Sequence, residues 1–442
     1  MTLPKKIITL LFIIFTVSRL FIYLTPPLDY SDVRADYERY AHMWSQGHWP
    51  YLKHKYEYPP ASVPILYFPL FLYHNGIGDY YKNYRAQTLV FDIAFFVFLT
   101  LTVNKRLNWN KDKKFTSLYL YIFLSTFTRA FLYEGIDLIF TATIMTAYLL
   151  PLWFKKNSSW ARYLKWILFW LSTAIKFLTL PLMVPIFVIG IAQKNLKLNL
   201  SPKNCLQLFK NKIFMMNFKK ELLAFLIGFV LIWGPPIAVF RENLLVSFTF
   251  NFGRPIKYAA FPAYIIKTAN YFTNSEQQNN FPPDYEWQGH IADKVTEITT
   301  YAFPTIMLLY LWWSLRTVNK ASDEQEPDKF FLSLKIHIVY IFTLFLSAKT
   351  FSQPFHIWYL PALSLLAIQS EKRKWLTVLS VIMMMLIDVT ELFHLPTLDN
   401  WEHYLDTVIR DSLRFIPMFA LLIGTAKLKN SQTNRKDKES CL

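Results

Sequence analysis

Apolar residues in this chain form blocks of about 20 residues, separated by short polar connections. A helix of this length rises about 30 Å, which is the thickness of the hydrocarbon core of a bilayer. The pattern predicts an all-α polytopic membrane protein, because the strands of a β-barrel are short and alternate in polarity. We expect about twelve membrane spans, at residues 7–25, 86–103, 116–131, 137–154, 164–177, 179–193, 221–240, 299–315, 331–349, 356–370, 375–393 and 408–426.

Lysine and arginine concentrate in alternate connections, most densely in 104–115 and 194–220. Cytoplasmic connections carry such an excess, so both termini are predicted to be cytoplasmic and the long segments 26–85 and 242–298 to lie outside. The net charge of +17 then reflects orientation and contact with anionic membrane lipids, and no nucleic acid partner is expected. We divide the chain into one membrane domain, residues 1–426, and a basic cytoplasmic tail, residues 427–442.

Two apolar stretches depart from the simple pattern. Residues 61–73 are short and interrupted by proline, which favours a juxtamembrane or re-entrant helix on the outer face over a span. A true span there would place the basic run 105–114 outside, against the charge rule. The spans 164–177 and 179–193 are also short and meet near Pro181, which predicts a bend at the outer surface with Lys176 at its tip.

The composition and motifs of the chain limit the kinds of functional site that it can contain. The chain is 53% hydrophobic and 18% aromatic, and its two cysteines, Cys205 and Cys441, support neither a disulfide framework nor a metal cluster. The sequence contains no phosphate-binding glycine loop, dinucleotide fingerprint or zinc motif. An outward-facing enzyme without nucleotide machinery would most simply use a donor that the membrane delivers, such as a lipid phosphate.

Charged residues beside the spans are the candidates for catalysis, since charge at membrane depth commonly marks a functional site. Asp32 and Asp36 follow the first span and lie four residues apart, so they share a helix face. Either carboxylate can accept a proton from a hydroxyl group, and the alternative is an acidic first turn that stabilises a helix terminus. Glu57 and Tyr58 follow in a proline-rich loop, where aromatic residues either stack on a sugar or anchor the loop at the interface.

The remaining candidates lie at span ends on the same predicted side. Asp137 opens a span and is either a helix cap or a polar ligand. Lys176 is either a cation that extends its ammonium to the interface or a phosphate ligand. Arg254 and Lys349 add two further cations on that side. The stretch after Lys349 also contributes Gln353 and His356 as candidate substrate contacts.

These motifs, in this order, resemble the polyprenol-phosphate-sugar-dependent glycosyltransferases of the GT-C fold, and in particular glycosyltransferase family eighty-seven. The mannosyltransferase of glycolipid-anchor synthesis is a more distant relative. The likeness covers most of the chain. It rests on Ser31-Asp32-Val33, Gly47-x-x-Pro50-Tyr51, Glu57-Tyr58-Pro59-Pro60, Gly135-Ile-Asp137, Ile175-Lys176 with Pro181, Phe250 to Pro255 with Ala263, and Lys349 to Trp358 followed by Leu360-Pro361. The late motif departs from the family order, because Gln353 precedes Pro354 here.

The resemblance implies an inverting transfer of a hexose, with mannose favoured, from a polyprenyl-phosphate donor to a glycolipid, glycan or protein hydroxyl. It implies that Asp32 is the base, with Asp36 as the second choice. Lys176 and Arg254, with Lys349, would stabilise the departing phosphate, and Asp137 would orient the acceptor or a cation. No cofactor or metal is expected beyond the lipid-linked donor, although the sequence does not exclude a divalent cation.

Two other classes remain open at this point. A transporter or flippase of a lipid-linked sugar would also line a phosphate path with cations, but on both sides of the membrane. A polysaccharide polymerase or ligase would use a lipid-diphosphate donor and an arginine-rich outer loop.

The second long outer segment is a candidate for contact with the acceptor. Segment 242–298, with Tyr285, Trp287 and His290, is predicted to be a polar lid over the acceptor.

Overall fold

The computed structural model describes most of the chain. The described residues are 2–25, 31–129, 131–155, 158–192, 211–252, 256–257, 259–273, 277–279, 286–323, 328–369, 377–378, 381–382 and 401–428. Arg254, Tyr285 and the basic tail beyond residue 428 lie outside them, as does almost all of the predicted span 375–393.

Helices dominate the described residues. They are α1 (Lys5–Leu24), α2 (Glu38–Ser45), α3 (Ser62–His74), α4 (Tyr80–Lys105), α5 (Lys111–Phe127), α6 (Asp137–Leu149), α7 (Ser159–Ile175), α8 (Leu180–Ile191), α9 (Lys212–Phe240), α10 (Leu245–Phe252), α11 (Phe261–Thr273), α12 (His290–Asp323), α13 (Lys329–Ser347), α14 (Leu360–Ala367) and α15 (Trp401–Ala426). A two-stranded antiparallel hairpin joins α11 to α12, with β1 at Gln277–Asn279 and β2 at Glu286–Gln288.

Within the described residues, five helical segments are long and apolar enough to cross a membrane, namely Lys5–Leu24, Tyr80–Lys105, Lys212–Phe250, His290–Ala321 and Lys329–Ser347. Large apolar side chains on α9 and α12, such as Val230 and Leu308, are exposed, as expected for surfaces that face lipid. The prediction of an all-helical, multi-pass membrane protein is confirmed. The predicted number of about twelve spans is not confirmed.

The core forms around α13, which is the most enclosed of these segments. Of its apolar window 89% is buried, compared with 22% for α1. Helix α13 packs against α6, α8, α12, α14 and α15, so it lies at the centre of the bundle. A second, separate core fills the first loop, where Val33, Tyr37, Tyr56 and Leu66 pack with Tyr84 of α4.

Several boundaries differ from the sequence prediction. The predicted span 299–315 begins earlier, at His290, because the helix continues through polar residues into the loop region. The predicted span 356–370 is replaced by a 3-10 turn, Gln353–Trp358, and the eight-residue helix α14. Eight residues rise only about 12 Å, so this helix alone is too short to cross. Prolines near both starts, Pro354 and Pro361, explain the division into two short elements.

Two other local predictions agree with the structure. Helix α3 has 13 residues and contains Pro69, and its rise of about 20 Å is less than the hydrocarbon thickness. It packs against the start of α4, where the side chain of Gln87 donates to the carbonyl of Ile65 at 3.0 Å. Helices α7 and α8 meet at a sharp turn in which Lys176 is extended, just before a 3-10 turn and Pro181.

Candidate functional site

The candidate site lies at the end of the bundle where α1 ends and α4 and α6 begin, which we call the loop end. After α1 the chain enters a π-helical turn, Val33–Tyr37, with Asp32 as its N-terminal flanking residue. Val33 and Tyr37 are buried and fix the turn against the second core, whereas the side chain of Asp32 is exposed. Within the described residues Asp32 takes part in no hydrogen bond or ion pair. Its carboxylate is therefore available to a ligand.

The surroundings of Asp32 change its acidity. Although its side chain is open to solvent on one side, burial by the protein around it raises the pKa of Asp32 to about 6. Lys257 and Lys176 act in the opposite direction, whereas the carboxylates of Asp137 and Glu57 add to the rise. These four groups come from four separate parts of the chain and lie close enough to Asp32 to act on its pKa. We call the region that they surround the Asp32 recess. A carboxylate with a pKa near 6 is ionised at neutral pH and is a better proton acceptor than an ordinary aspartate.

Asp137 and Lys176 form the rigid wall of this recess. The Lys176 ammonium lies 2.5 Å from Asp137 Oδ1, and the indole nitrogen of Trp358 donates to the same oxygen at 2.6 Å. The ammonium also lies 4.9 Å from the ring centre of Phe355 and 5.0 Å from that of Trp358. Asp137 is buried, so these contacts satisfy a carboxylate that would otherwise be costly. Lys176 is therefore a paired and immobilised cation, and not an isolated phosphate ligand.

A second pair of lysines lies on two adjacent loops. The backbone N–H of Lys257 donates to the carbonyl of Lys349 at 3.0 Å, which holds the two segments together. Burial lowers the pKa of the Lys349 ammonium, and no carboxylate opposes that effect. Lys257 is the cation with the largest influence on Asp32. Within the described residues neither ammonium forms an ion pair, and Lys257 brings positive charge close to Asp32.

Tyrosines line the recess between the first loop and α6. The Tyr37 hydroxyl donates to that of Tyr58 at 3.4 Å and accepts from the backbone N–H of Ile136, also at 3.4 Å. Burial raises the pKa of both phenols well above the ordinary value, and the charge of Asp32 contributes to each rise. The loop is anchored nearby, because the N–H of Ala61 donates to the carbonyl of Ala174 at 2.8 Å. Tyr58 and Glu57 are thereby held beside the turn that carries Lys176.

The structure thus places Glu57, Tyr58, Asp137 and Lys176 near Asp32, and it bonds the backbone of Lys349 to that of Lys257. Asp36 is different, because an ion pair with Arg39 at 2.6 Å occupies its carboxylate. His356 is placed in the interior, where its Nδ1 atom lies 2.8 Å from the Tyr359 hydroxyl and its ring packs against Phe351. Its role as a substrate contact therefore stays a prediction. Arg254 and the side chain of Gln353 lie outside the described residues.

Three participants were missed by the sequence analysis. Lys257 follows Arg254 by three residues in the same loop, so its proximity to another candidate was the available signal. Trp358 ends the late motif, but the sequence analysis gave it no role of its own. Tyr37 carried no signal, because only the folded loop brings its hydroxyl to Tyr58 and Ile136.

Within the described residues, no three histidine, cysteine, aspartate or glutamate side chains are arranged to hold a metal ion. The expectation of a metal-independent site remains a prediction. Segment 242–298, predicted to be a polar lid, contains α10, α11, the hairpin and the start of α12. Trp287 lies in β2 and His290 begins α12.

No protein family description matches this sequence, and no curated protein matches it. Among solved structures the chain is similar to ArnT from Cupriavidus metallidurans in the apo state, with 10% identity and a TM-score of 0.48 over 94% of this chain and 76% of that one. The same protein bound to undecaprenyl phosphate gives 11% identity and a TM-score of 0.46, with coverage of 95% and 76%.

A third similar structure is the archaeal oligosaccharyltransferase AglB from Archaeoglobus fulgidus, in complex with an inhibitory peptide and a dolichol-phosphate. Here the identity is 9% and the TM-score 0.42, over 98% of this chain and 57% of that one. At such identities no residue role is transferred from these structures.

Proposed function

We propose that this protein is an inverting glycosyltransferase. It moves a hexose, with mannose as the favoured sugar, from a polyprenyl-phosphate donor to an acceptor hydroxyl on the outer side of the membrane. The observation that carries the proposal is the open carboxylate of Asp32 beside Lys257, a lysine that forms no ion pair within the described residues and whose backbone is bonded to that of Lys349. A base beside positive charge is the arrangement that transfer from a lipid phosphate requires.

In the proposed reaction Asp32 accepts the proton of the acceptor hydroxyl as the oxygen attacks the anomeric carbon of the sugar. The bond between that carbon and the phosphate oxygen breaks on the opposite face, and the electron pair leaves with the lipid phosphate. Lys257 and Lys349 stabilise the negative charge on the departing phosphate. The sequence resemblance assigns a similar task to Arg254, in the loop that leads to Lys257.

The pair formed by Lys176 and Asp137 has a different part in this proposal. Because Asp137 already neutralises Lys176, the pair adds little net charge to the recess. It fixes the wall on which the sugar and phosphate rest, with Trp358 and Phe355 as its apolar face. A rigid wall of this kind increases the reaction rate by holding the reactants in a reactive geometry.

The outward orientation follows from the distribution of lysine and arginine in the sequence. The connection between α4 and α5, at the end of the bundle opposite the recess, is among the most basic and is assigned to the cytoplasm. The loop end, which carries Asp32, is then outside. A lipid-linked donor suits this side, because nucleotide sugars are confined to the cytoplasm.

The test is transfer of radiolabelled mannose from polyprenyl-phosphate-mannose in membranes that contain the protein. Asp32→Asn is expected to lower the rate by about 10²–10⁴-fold, the usual contribution of a general base. Asp36→Asn is the matched control, because that carboxylate lies one turn later and is already paired with Arg39. Equal rates for both variants and the wild type would remove Asp32 from the mechanism.

The same assay addresses the other classes. If no polyprenyl-phosphate sugar supports transfer, a lipid-diphosphate donor is offered next, and transfer from it would identify a polymerase or ligase. Movement of a lipid-linked sugar across the membrane without transfer would identify a transporter. Neither alternative is favoured by a specific contact in the described residues.

A further inference from the structure

A second recess lies on the other face of the turn that carries Asp32. It is a cavity of about 740 Å³ between the end of α1, the π-helical turn with α2, and the start of α4. Its polar lining includes Arg34 and Glu38 from the turn and α2, and Asp79, Lys82 and Arg85 from α4 and its cap. Cavities of 300–1,000 Å³ are the size that small-molecule ligands occupy.

The cavity and the Asp32 recess lie on two sides of the same turn. Successive helical residues are about 100° apart, so Asp32 and Arg34 face in nearly opposite directions, whereas Arg34 and Glu38 share one face. Behind the cavity wall, the hydroxyl of Tyr81, which lines the cavity, donates to Glu134 at 2.5 Å.

Most charges around the cavity are already balanced. Lys82 lies 2.9 Å from Asp79, and Arg85 lies 3.4 Å from the buried Glu134. Arg34 forms no ion pair among the described residues, and its guanidinium lies 4.5 Å from the ring centre of Tyr81. The wall is therefore close to neutral, yet it presents hydrogen-bond donors, acceptors and aromatic rings together.

This chemistry fits a polyhydroxyl ligand better than an anion. Each sugar hydroxyl both donates and accepts, and guanidinium and carboxylate groups on one wall can serve both needs. Tyrosine rings add apolar faces against which the C–H face of a sugar can pack. A phosphate or sulfate would instead favour a wall with a clear excess of positive charge.

We propose that this cavity binds a sugar unit of the acceptor that does not itself react, while the reacting hydroxyl of the same acceptor lies at Asp32. The inference rests on the proposed function, because it requires a sugar acceptor. A helix with its side chains is about 10–12 Å across, so a ligand must pass around the turn to reach from Arg34 to Asp32. A single sugar ring is too small for that distance. Only acceptors of more than one sugar unit occupy the cavity and the reactive position together.

The test compares Arg34→Gln with Arg39→Gln, an exposed arginine of α2 that does not line the cavity. The acceptors are octyl mannosides of one, two and three mannose units, with polyprenyl-phosphate-mannose as donor. Arg34→Gln is expected to raise KM for the trimannoside about tenfold or more, the effect of losing a charged hydrogen bond. KM for the monomannoside and for the donor should stay within twofold, and Arg39→Gln should behave as the wild type. An equal KM change for all acceptor lengths overturns the proposal.

Binding without turnover separates this inference from the proposed function. Saturation-transfer NMR with free mannotriose on the purified protein in detergent micelles reports occupancy even when no transfer occurs. Binding that the wild type and Asp32→Asn show and Arg34→Gln loses supports the cavity, whether or not the protein transfers mannose. Absence of mannotriose binding, its retention in Arg34→Gln, or preferential binding of glycerophosphoglycerol as an anionic headgroup probe would each overturn it.

Discussion

Two aspartates near the loop end show how the same side chain serves opposite purposes. Asp92, on α4, is completely buried and accepts hydrogen bonds from Arg19 at 2.7 Å and from Tyr121 and Tyr133 at 3.0 Å each. Asp32, on the first loop, is exposed and is bonded to no group among the described residues. One carboxylate is fully occupied by the fold, and the other is kept open beside cations.

The comparison shows that charge at membrane depth does not by itself identify a functional site. Arg19 and Asp92 lie within predicted spans, yet each is satisfied by the other and by neighbouring hydroxyls, including Ser125. Such a network is what burial of charge requires. The feature that separates Asp32 is the absence of partners, which only the folded structure reveals.

Stability gives the largest expected contrast between the two aspartates. Asp92→Asn leaves the Arg19 guanidinium buried without its counter-charge, so we expect the free energy of unfolding to fall by about 3–5 kcal/mol. Asp32→Asn should not lower the free energy of unfolding. The raised pKa of Asp32 gives stability that is present below its ordinary pKa of 3.8 and is lost as the pH rises through about 6. At pH 7 the ionised carboxylate therefore adds no stability.

Thermal unfolding of the purified variants in detergent measures this contrast. The Tm of Asp92→Asn should fall well below that of the wild type, and the Tm of Asp32→Asn should match or exceed it. A variant of the partner, Arg19→Gln, is the control and should also be destabilised, because it leaves Asp92 buried and unpaired. Similar Tm losses for Asp32→Asn and Asp92→Asn would mean that Asp32 is also structural.

The second expected effect concerns the cations. Lys257→Gln removes an ammonium that no described carboxylate pairs with, so we expect kcat to fall about 10²–10³-fold, the range for one group that stabilises developing negative charge. Its Tm should be nearly unchanged. Lys176→Gln should lower Tm as well as kcat, because it leaves Asp137 buried with Trp358 as its one remaining side-chain partner among the described residues. A loss of stability in Lys257→Gln without loss of kcat would contradict the assignment.

Local signals explain which parts could be predicted from the sequence. Length and hydropathy predicted the membrane-spanning helices, and Pro181 predicted the break after α7. The acidic residue at the start of α6 and the polar first loop predicted Asp137 and Asp32 as candidates. In each case the determining residues are close together in the chain.

Contacts between distant residues explain what could not be predicted. Lys176 is 39 residues from Asp137, and Trp358 is 221 residues from it, so no pattern in the sequence indicates that the three meet. The same holds for Lys257, which acts on Asp32 from a loop more than 200 residues away in the chain and bonded to that of Lys349. The sequence therefore suggested Lys176 as a free cation when it is a paired one.

The smallest expected effects are shifts in the pH dependence of transfer. Because Asp32 must be ionised to accept a proton, kcat/KM should fall tenfold per pH unit below a pKa of about 6. Lys257 lowers this pKa and Glu57 raises it. Lys257→Gln should therefore move the acidic limb to higher pH, and Glu57→Gln should move it to lower pH.

These opposite shifts are a sharper test than the loss of activity alone. A general disturbance of the site would move the acidic limb in the same direction in both variants. Residual activity in each variant is sufficient, since only the position of the limb is measured. Asp36→Asn is the control: Asp36 is paired with Arg39 and is not among the four charged groups with the largest effect on the pKa of Asp32, so its removal should move the limb less than either variant does. If neither Lys257→Gln nor Glu57→Gln moves the limb, the group that titrates is not Asp32, and the open carboxylate has some other role than that of the base.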